Sequence, residues 1–183
     1  FAMPYALLLA GFVQRDLGHG AREYGNLLAA TGLGALVGSL AVATIAEFDR
    51  KPLLQWAFGI LSGVGLIALS VGSMQFGFAG ALVSAAALGL VLTAYQTLNS
   101  TMVMEATQPQ FYGRVMSINM LTFSAMPLMA YPLGEVADRI GAPALFNVQG
   151  ALVVGAILIV GVLNASYTFG RHARVTHGMT HGA

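Results

Sequence analysis

Long apolar segments, almost free of charged residues, recur along the whole 183-residue chain. Each has about the 20 residues that a helix needs to cross the ~30 Å hydrocarbon core of a bilayer. A bilayer offers no water to satisfy backbone N–H and C=O groups, so segments of this kind must be helical. The pattern predicts an all-α, polytopic transmembrane bundle without β-sheet. Its five complete spans are 23–45, 52–73, 76–104, 115–136 and 143–165.

Glycine, proline and charged residues separate these segments. Glu47, Asp49, Arg50 and Lys51 follow the first span. Pro52 then fits the first turn of a new helix, where its missing N–H costs nothing. The remaining boundaries are a turn at 72–77, a loop at 108–113 and a turn at 138–143.

The two ends of the chain differ from its middle. The first 13 residues are apolar but too short to span a bilayer, and we interpret them as the end of a helix that starts upstream. The chain is then a fragment of a longer protein, with residues 1–169 forming one half-bundle. The tail over 170–183 is polar and contains glycine, and we predict that it is disordered.

Composition supports a membrane protein and narrows its chemistry. The chain is 57% hydrophobic and only 8% charged, whereas soluble domains carry about 25% charged residues. Its net charge of +1 provides no field that would attract nucleic acid. It has no cysteine, which excludes disulfides and thiolate metal sites. His177 and His181 lie in the glycine-containing tail, so we predict neither a metal site nor a cofactor.

Basic residues in alternate loops predict the orientation in the membrane. The side richer in Lys and Arg is expected to be cytoplasmic. One set of loops holds Arg50, Lys51, Arg114, Arg171 and Arg174, and the other holds Arg15, Arg22 and Arg139. The 47–51 loop and the C-terminus are therefore predicted to be cytoplasmic.

The sequence repeats itself weakly when 46–61 is aligned with 137–152. Each block closes the second helix of a three-helix unit and opens the third, and the span count places the two blocks on opposite sides of the membrane. This arrangement is typical of inverted-topology repeats in transporters. The matched pairs include Glu47 with Asp138, Pro52 with Pro143 and Gly59 with Gly150.

Three segments carry a resemblance to the major facilitator superfamily. Residues 24–38 (YGNLLAATGLGALVG) resemble its eighth helix, and 113–117 and 134–141 resemble the start and end of its eleventh. Within the superfamily they look like the branch of the enterobactin exporter and related secretion effectors. The resemblance implies the C-terminal half of a twelve-helix transporter in a bacterial inner membrane. That half would comprise the end of helix seven and helices eight to twelve.

The cytoplasmic Gly/Asp/Arg-rich loop of that superfamily is degenerate in this chain. Ala43, Glu47, Asp49, Arg50 and Lys51 stand where Gly, Asp, Gly, Arg and Arg are expected. The resemblance implies that this loop takes part in gating the conformational cycle. In the repeated block, Asp138 and Arg139 are the corresponding candidates.

Glycines in the first span superficially resemble a nucleotide-binding loop. Their spacing is G-x-G-x-x-x-G over residues 32–38, and no strand precedes them. Gly34 with Gly38, and Gly59 with Gly63, instead form G-x-x-x-G pairs that allow close helix packing in lipid. We therefore predict helix–helix contacts at these glycines.

Uncharged polar side chains inside the spans are the candidate site. Tyr95 and Asn99 share a helix face, and Gln96 is adjacent. Such groups line a substrate cavity or hydrogen-bond to a neighbouring helix, because leaving them unpaired in lipid is costly. The resemblance favours a cavity lined by helices seven, eight, ten and eleven, with nine and twelve outside. Asn147 and Gln149, near the end of the last span, are expected at the membrane interface. The candidate cavity residues are Tyr95, Gln96, Asn99, Asn119, Thr122, Phe123, Asn26 and Thr31.

Prolines and methionines suggest how such a cavity would behave. Pro127 and Pro132 should bend the fourth span, as a moving hinge or as a static kink. Six of the nine methionines lie on the third and fourth spans. Methionine suits a wall that accepts varied apolar partners, although it also fills gaps in packed helices.

These features predict a secondary active transporter, not an enzyme. It would export a hydrophobic or amphiphilic small molecule by alternating access. Its partners would be that substrate, the lipid bilayer and the missing N-terminal six-helix half. Two alternatives remain open. One is a non-transporting membrane scaffold or sensor. The other is a lipid-modifying enzyme, for which Asp16, His19 and Glu23 are the nearest candidates.

Overall fold

Helices form almost the whole molecule. The computed structural model describes residues 5–18, 20–45, 51–124 and 126–178, and these contain no strand. The helices are α1 (Tyr5–Gly11), which continues as a π-helix (Phe12–Asp16), α2 (Ala21–Ile45), α3 (Lys51–Ala106), α4 (Tyr112–Ser124), α5 (Met126–Ile140) and α6 (Ala142–Gly178), with a 3₁₀ turn at Pro109–Phe111 before α4. Of these, α2, α3 and α6 are long and apolar enough to cross a membrane. The predicted all-α membrane bundle is confirmed.

Helix α3 is a hairpin folded at one glycine. Gly77 has φ 58° and ψ −139°, a conformation that residues with a side chain rarely adopt, while the residues on both sides are helical. The first arm (51–76) and the second arm (78–106) therefore run antiparallel. Residues equally far from Gly77 meet, as Gln55 and Asn99 do. The predicted turn at 72–77 is confirmed, and the structure places it at one residue, Gly77.

Helices α4 and α5 cover the predicted fourth span. Residues 115–124 lie in α4 and residues 126–136 lie in α5, and residue 125 between them lies outside the described residues. Pro132 lies inside α5. The side chain of Pro127 lies outside the part of the chain that the structure describes.

Helix α6 continues to Gly178. Disorder of the tail from residue 170 stays a prediction. No proline interrupts 170–178, and a single glycine inside a helix costs only about 1 kcal/mol. The last five residues, 179–183, lie outside the described residues.

Glycines bring α2 against the second arm of α3 with their backbones in contact. A Cβ atom on Gly34 would lie 1.9 Å from the carbonyl oxygen of Ala86, and one on Gly38 would lie 2.2 Å from that of Leu90. From the other side, a Cβ on Gly89 would lie 2.1 Å from the carbonyl oxygen of Thr31. The predicted packing role of the G-x-x-x-G glycines is confirmed.

Helix α6 packs antiparallel to the first arm of α3, again at glycines. A Cβ on Gly59 would lie 2.7 Å from Ile157 Cδ1, and one on Gly150 would lie 2.7 Å from Ile67 Cγ1. Gly59 and Gly150 correspond in the sequence repeat, so each glycine of the matched pair faces the helix that carries the other. An approximate two-fold axis between the helices would produce this exchange. Superposition of the two three-helix units about such an axis stays a prediction.

An apolar cluster joins α1 to this framework. Phe12 and Phe146 are fully buried and meet edge to face, with ring centroids 5.3 Å apart. Leu66, Leu69 and Leu88 are also fully buried in this cluster. Large aliphatic side chains point outward from every long helix, as expected when the surrounding medium is hydrocarbon.

Candidate functional site

Asn99 forms a hydrogen bond between the two arms of α3. Its Oδ1 accepts from Gln55 Nε2 at 3.0 Å, and both side chains are partly buried. Of the two roles left open by the sequence, this contact fits interhelical pairing. The amide of Asn99 is thereby satisfied inside the hairpin. A substrate-binding role for Asn99 stays a prediction.

Tyr95 lies one turn before Asn99 on the same face of the second arm of α3 and lines a cavity. The cavity has a volume of about 300 Å³ and opens to the surface on the side where α3 meets α6. It is formed by Gln55, Trp56, Tyr95, Ala156, Ile157 and Val160. The first arm of α3 and helix α6 form most of its wall. The resemblance numbers these helices nine and twelve and places them outside the central cavity, so this cavity is a different one.

The other candidate cavity residues are dispersed. Thr31 donates to the carbonyl of Leu27 at 2.9 Å and also interacts with the phenol of Tyr5, so it serves contacts of α2. Asn26 is exposed on α2, whereas Gln96 and Asn119 are half-buried on different helices. The side chains of Thr122 and Phe123 lie outside the described part of the chain.

Each end of the bundle carries an ion pair between helices. Lys51 Nζ lies 2.5 Å from Glu105 Oε1, which clamps the open ends of the α3 hairpin. At the Gly77 end, Arg15 of the π-helix pairs with Asp138 of α5. Arg139 pairs within α5 with Glu135, at 2.7 Å. Of the predicted gating residues, Glu47, Asp49 and Arg50 lie outside the described residues.

One partly buried and one buried amide of α6 were not predicted to lie inside the bundle. Asn147 and Gln149 were expected at the membrane interface, but Asn147 donates to Ser70 Oγ at 3.1 Å inside the bundle. Gln149 is only 2% exposed, and neither of its amide atoms has a hydrogen-bond partner among the residues that the structure describes. The available signal was helical spacing, since Gln149 continues the buried stripe of Leu145 and Phe146.

The described ionisable residues are not arranged for metal binding. No group of three His, Asp or Glu side chains among them could hold an ion. The acids with described side chains lie near helix ends, at positions such as Glu23, Glu105 and Asp138. The chemistry of the described interior is therefore hydrogen bonding by amides, hydroxyls and aromatic donors.

Comparison with known proteins identifies a transporter relative. The chain is 30% identical over 136 residues to macrolide efflux protein A of Streptococcus pyogenes. The match to the same protein of an S. pyogenes serotype M6 strain is identical in extent. The chain is a membrane protein similar to an efflux transporter. No family model and no solved structure matches it.

The extent of the match defines what it supports. It covers 72% of this chain but only 32% of the relative, so the chain spans about a third of the length of the curated relatives it matches. It supports a resemblance to an efflux protein. It gives no support to the narrower enterobactin-exporter branch.

Proposed function

We propose that this chain is the C-terminal half of a secondary active exporter of the major facilitator type. The observation that carries the proposal is the 30% identity to macrolide efflux protein A over 72% of the chain. In this assignment α1 is the end of helix seven and α2 is helix eight. The two arms of α3 are helices nine and ten, α4 and α5 together form helix eleven, and α6 is helix twelve.

The cargo in this proposal is a hydrophobic or amphiphilic small molecule. The relative is named for macrolides, which makes that class the first to test. Methionines on the second arm of α3 and on α4 and α5 support an apolar, adaptable wall. Gln96 and Asn119, half-buried on helices ten and eleven, are the candidates that remain for hydrogen bonding to cargo.

The missing N-terminal half is the partner that α4 and α5 imply. Large side chains on these helices are strongly exposed, with Leu128 at 74% and Tyr131 at 82%. A Cβ atom added to Gly113 or Gly134 would meet no other atom within 4 Å, so the described helices do not approach these glycines closely. A second six-helix unit would cover such a surface, and rocking of the halves would provide alternating access.

The prolines of helix eleven support a moving element beside that partner. Interrupted helices in secondary transporters are found near the substrate path. Pro132 lies inside α5, where it removes a backbone hydrogen bond. We propose that α5 bends at Pro132 during transport. The loop over 47–51 and the C-terminus are cytoplasmic in this scheme, and Lys51, Asp138 and Arg139 take part in gating.

Drug accumulation in cells tests the proposal. The full-length protein is expressed in a bacterial host lacking its main efflux pumps, and uptake of a radiolabelled macrolide is measured with and without an ionophore. We expect lower steady-state accumulation that the ionophore restores. A panel of cationic and neutral amphiphiles is run in parallel. Unchanged accumulation of every compound, with the protein shown to be in the membrane, would contradict an export function.

A further inference from the structure

The cavity between α3 and α6 is built around two aromatic rings. Trp56 packs its six-membered ring on Gly161, where a Cβ would lie only 2.8 Å from Cζ3. Tyr95 likewise lies on Gly59, with its Cε2 at 3.4 Å from a Cβ position. A side chain at Gly161 would collide with the Trp56 ring and one at Gly59 would crowd Tyr95, so the glycines define the cavity. The contact on Gly161 uses the edge of Trp56 remote from its indole N–H.

The cavity lies towards the Lys51 end of the first arm of α3. Gln55 and Trp56 come one turn after Lys51, which begins α3, so they lie about 6–8 Å from the helix end. Trp and Tyr are enriched at this level of a membrane protein, where an apolar ring and a polar N–H or O–H are both accommodated. Gln55 faces Asn99 with its Nε2, which fixes the polar edge of the cavity.

The cavity wall is otherwise aliphatic and continues onto an aliphatic surface. Ala156, Ile157 and Val160 form one side. Val160 is 56% exposed, and Leu53 and Ile159 nearby on the two helices are also exposed. A volume of about 300 Å³ is at the lower limit for pockets that enclose drug-sized ligands. It suits a narrow apolar chain better than a bulky cargo molecule.

Charges lie next to the polar edge. Lys51 is one turn from Gln55 on the same helix face, and its partner Glu105 is about half exposed. An ammonium and a carboxylate at the membrane surface complement the phosphate and the amine of a zwitterionic headgroup. The charged pair, the polar side chains and the aliphatic wall thus follow one another in the same order as the headgroup, the ester region and the acyl chain of a phospholipid.

We propose that this cavity binds one acyl chain of a phospholipid from the leaflet at the Lys51 end. The chain lies against Ala156, Ile157 and Val160, the ester region meets Trp56 and Tyr95, and the headgroup lies at Lys51 and Glu105. This bound lipid is separate from the exported cargo. The inference therefore does not depend on the proposed export function.

Photocrosslinking of the full-length protein tests this site. The protein is reconstituted in phosphatidylethanolamine and phosphatidylglycerol with a trace of phosphatidylethanolamine that carries a diazirine in its acyl chain. Labelled peptides are mapped by mass spectrometry, and unlabelled phosphatidylethanolamine is titrated against the probe. We expect saturable labelling at Trp56 and Val160. Ala156→Phe, which fills the cavity, should lower it about tenfold, the effect of losing roughly two buried methylenes.

Matched variants separate this site from general lipid contact. Leu158→Phe adds an aromatic ring to an exposed position of α6 that does not line the cavity, and it should leave labelling unchanged. Gly161→Ala should displace Trp56 and reduce labelling, whereas Gly155→Ala meets no atom within 4 Å and should not. The glycine pair keeps the test valid even if Ala156→Phe does not fold.

Three results would overturn the proposal. Even, non-saturable labelling over all exposed aliphatic residues would mean that only bulk lipid contacts the protein. Displacement of the probe by a transported macrolide would assign the cavity to cargo. Absence of labelling at Trp56, while exposed aliphatic residues of α6 are labelled, would show that lipid does not enter the cavity. Each result is independent of whether the accumulation assay detects export.

Discussion

Two regions of this molecule use glycine in opposite ways. In α2, α3 and α6, which we call the glycine-packed framework, a Cβ at Gly34, Gly38 or Gly89 would meet a backbone carbonyl of another helix at about 2 Å. In α4 and α5, which we call the α4–α5 segment, a Cβ at Gly113 or Gly134 would meet no atom within 4 Å. Glycine therefore permits close helix packing in the framework, whereas the described glycines of the α4–α5 segment make no such contact.

The difference teaches where helix association in this chain comes from. Lipid tails are as apolar as leucine, so hydrophobic side chains alone give helices little reason to associate. The framework gains van der Waals contact by bringing backbones together at glycines. The α4–α5 segment shows no such contact at Gly113 or Gly134 among the described residues, and its large side chains stay exposed. Apolar composition places a helix in the membrane, whereas small residues decide which neighbour it binds.

The largest expected effect comes from breaking the framework at Gly34. Gly34→Ala places a methyl group against the backbone oxygen of Ala86, which cannot move aside as a side chain could. We expect the free energy of unfolding of the full-length protein in detergent to fall by about 3 kcal/mol. Gly32→Ala is the matched control, because it lies on the same helix with no atom within 4 Å. Equal loss in both variants would show that the close contact does not stabilise the framework.

A smaller effect is expected at the amide pair of the α3 hairpin. Asn99→Leu leaves Gln55 without its partner and should cost about 1 kcal/mol of unfolding free energy. The double variant Gln55→Leu with Asn99→Leu should recover most of that loss. Transport is measured in parallel. If transport falls while stability does not, Asn99 contacts cargo and the interhelical interpretation fails.

A substitution in the α4–α5 segment should change the rate of transport and leave the thermal stability nearly unchanged. Pro132→Ala restores a backbone donor inside α5, which should stiffen the helix and slow transport of the first cargo identified. We expect the midpoint of thermal unfolding to stay within about 2 °C or to rise. The accumulation assay and a thermal melt of the same preparation provide both readouts. Wild-type transport by this variant would indicate a static kink.

The smallest effect is expected at Gly134. Gly134→Ala adds a methyl group to α5 that meets no atom of the described residues within 4 Å. In the isolated C-terminal half, if it is stable in detergent, unfolding should change by no more than about 0.5 kcal/mol. In the full-length protein, a larger loss would place Gly134 at the surface that the N-terminal half covers. A clear loss in the isolated half would contradict the contrast between the two regions.

The sequence was sufficient for the spans because the bilayer imposes their length. Observed helices begin within a few residues of the predicted ones, as in Ala21–Ile45 for 23–45. The turn of the α3 hairpin was predicted only as the range 72–77, whereas the structure places it at Gly77. Hydropathy measures affinity for lipid and contains no information on backbone dihedral angles.

The candidate site was less predictable. Helical spacing correctly placed Tyr95 and Asn99 on one face, but not the helix that they face. Gln55 and Trp56 were missed because they lie near a helix start, where polar and aromatic residues are common. Once the hairpin at Gly77 is known, Gln55 follows directly, since it is as far before Gly77 as Asn99 is after it. Partners across helices require the turn to be located first.

The hairpin at Gly77 also bears on how the protein is assembled. Its two arms meet through pairs centred on one residue, so contacts can form in sequence outward from the turn, each closing only a short additional loop. Topologies rich in such progressive contacts fold quickly. The α3 hairpin is thus suited to form early during synthesis and to offer a packing surface on each arm, one to α2 with its glycines and the other to α6 when it emerges.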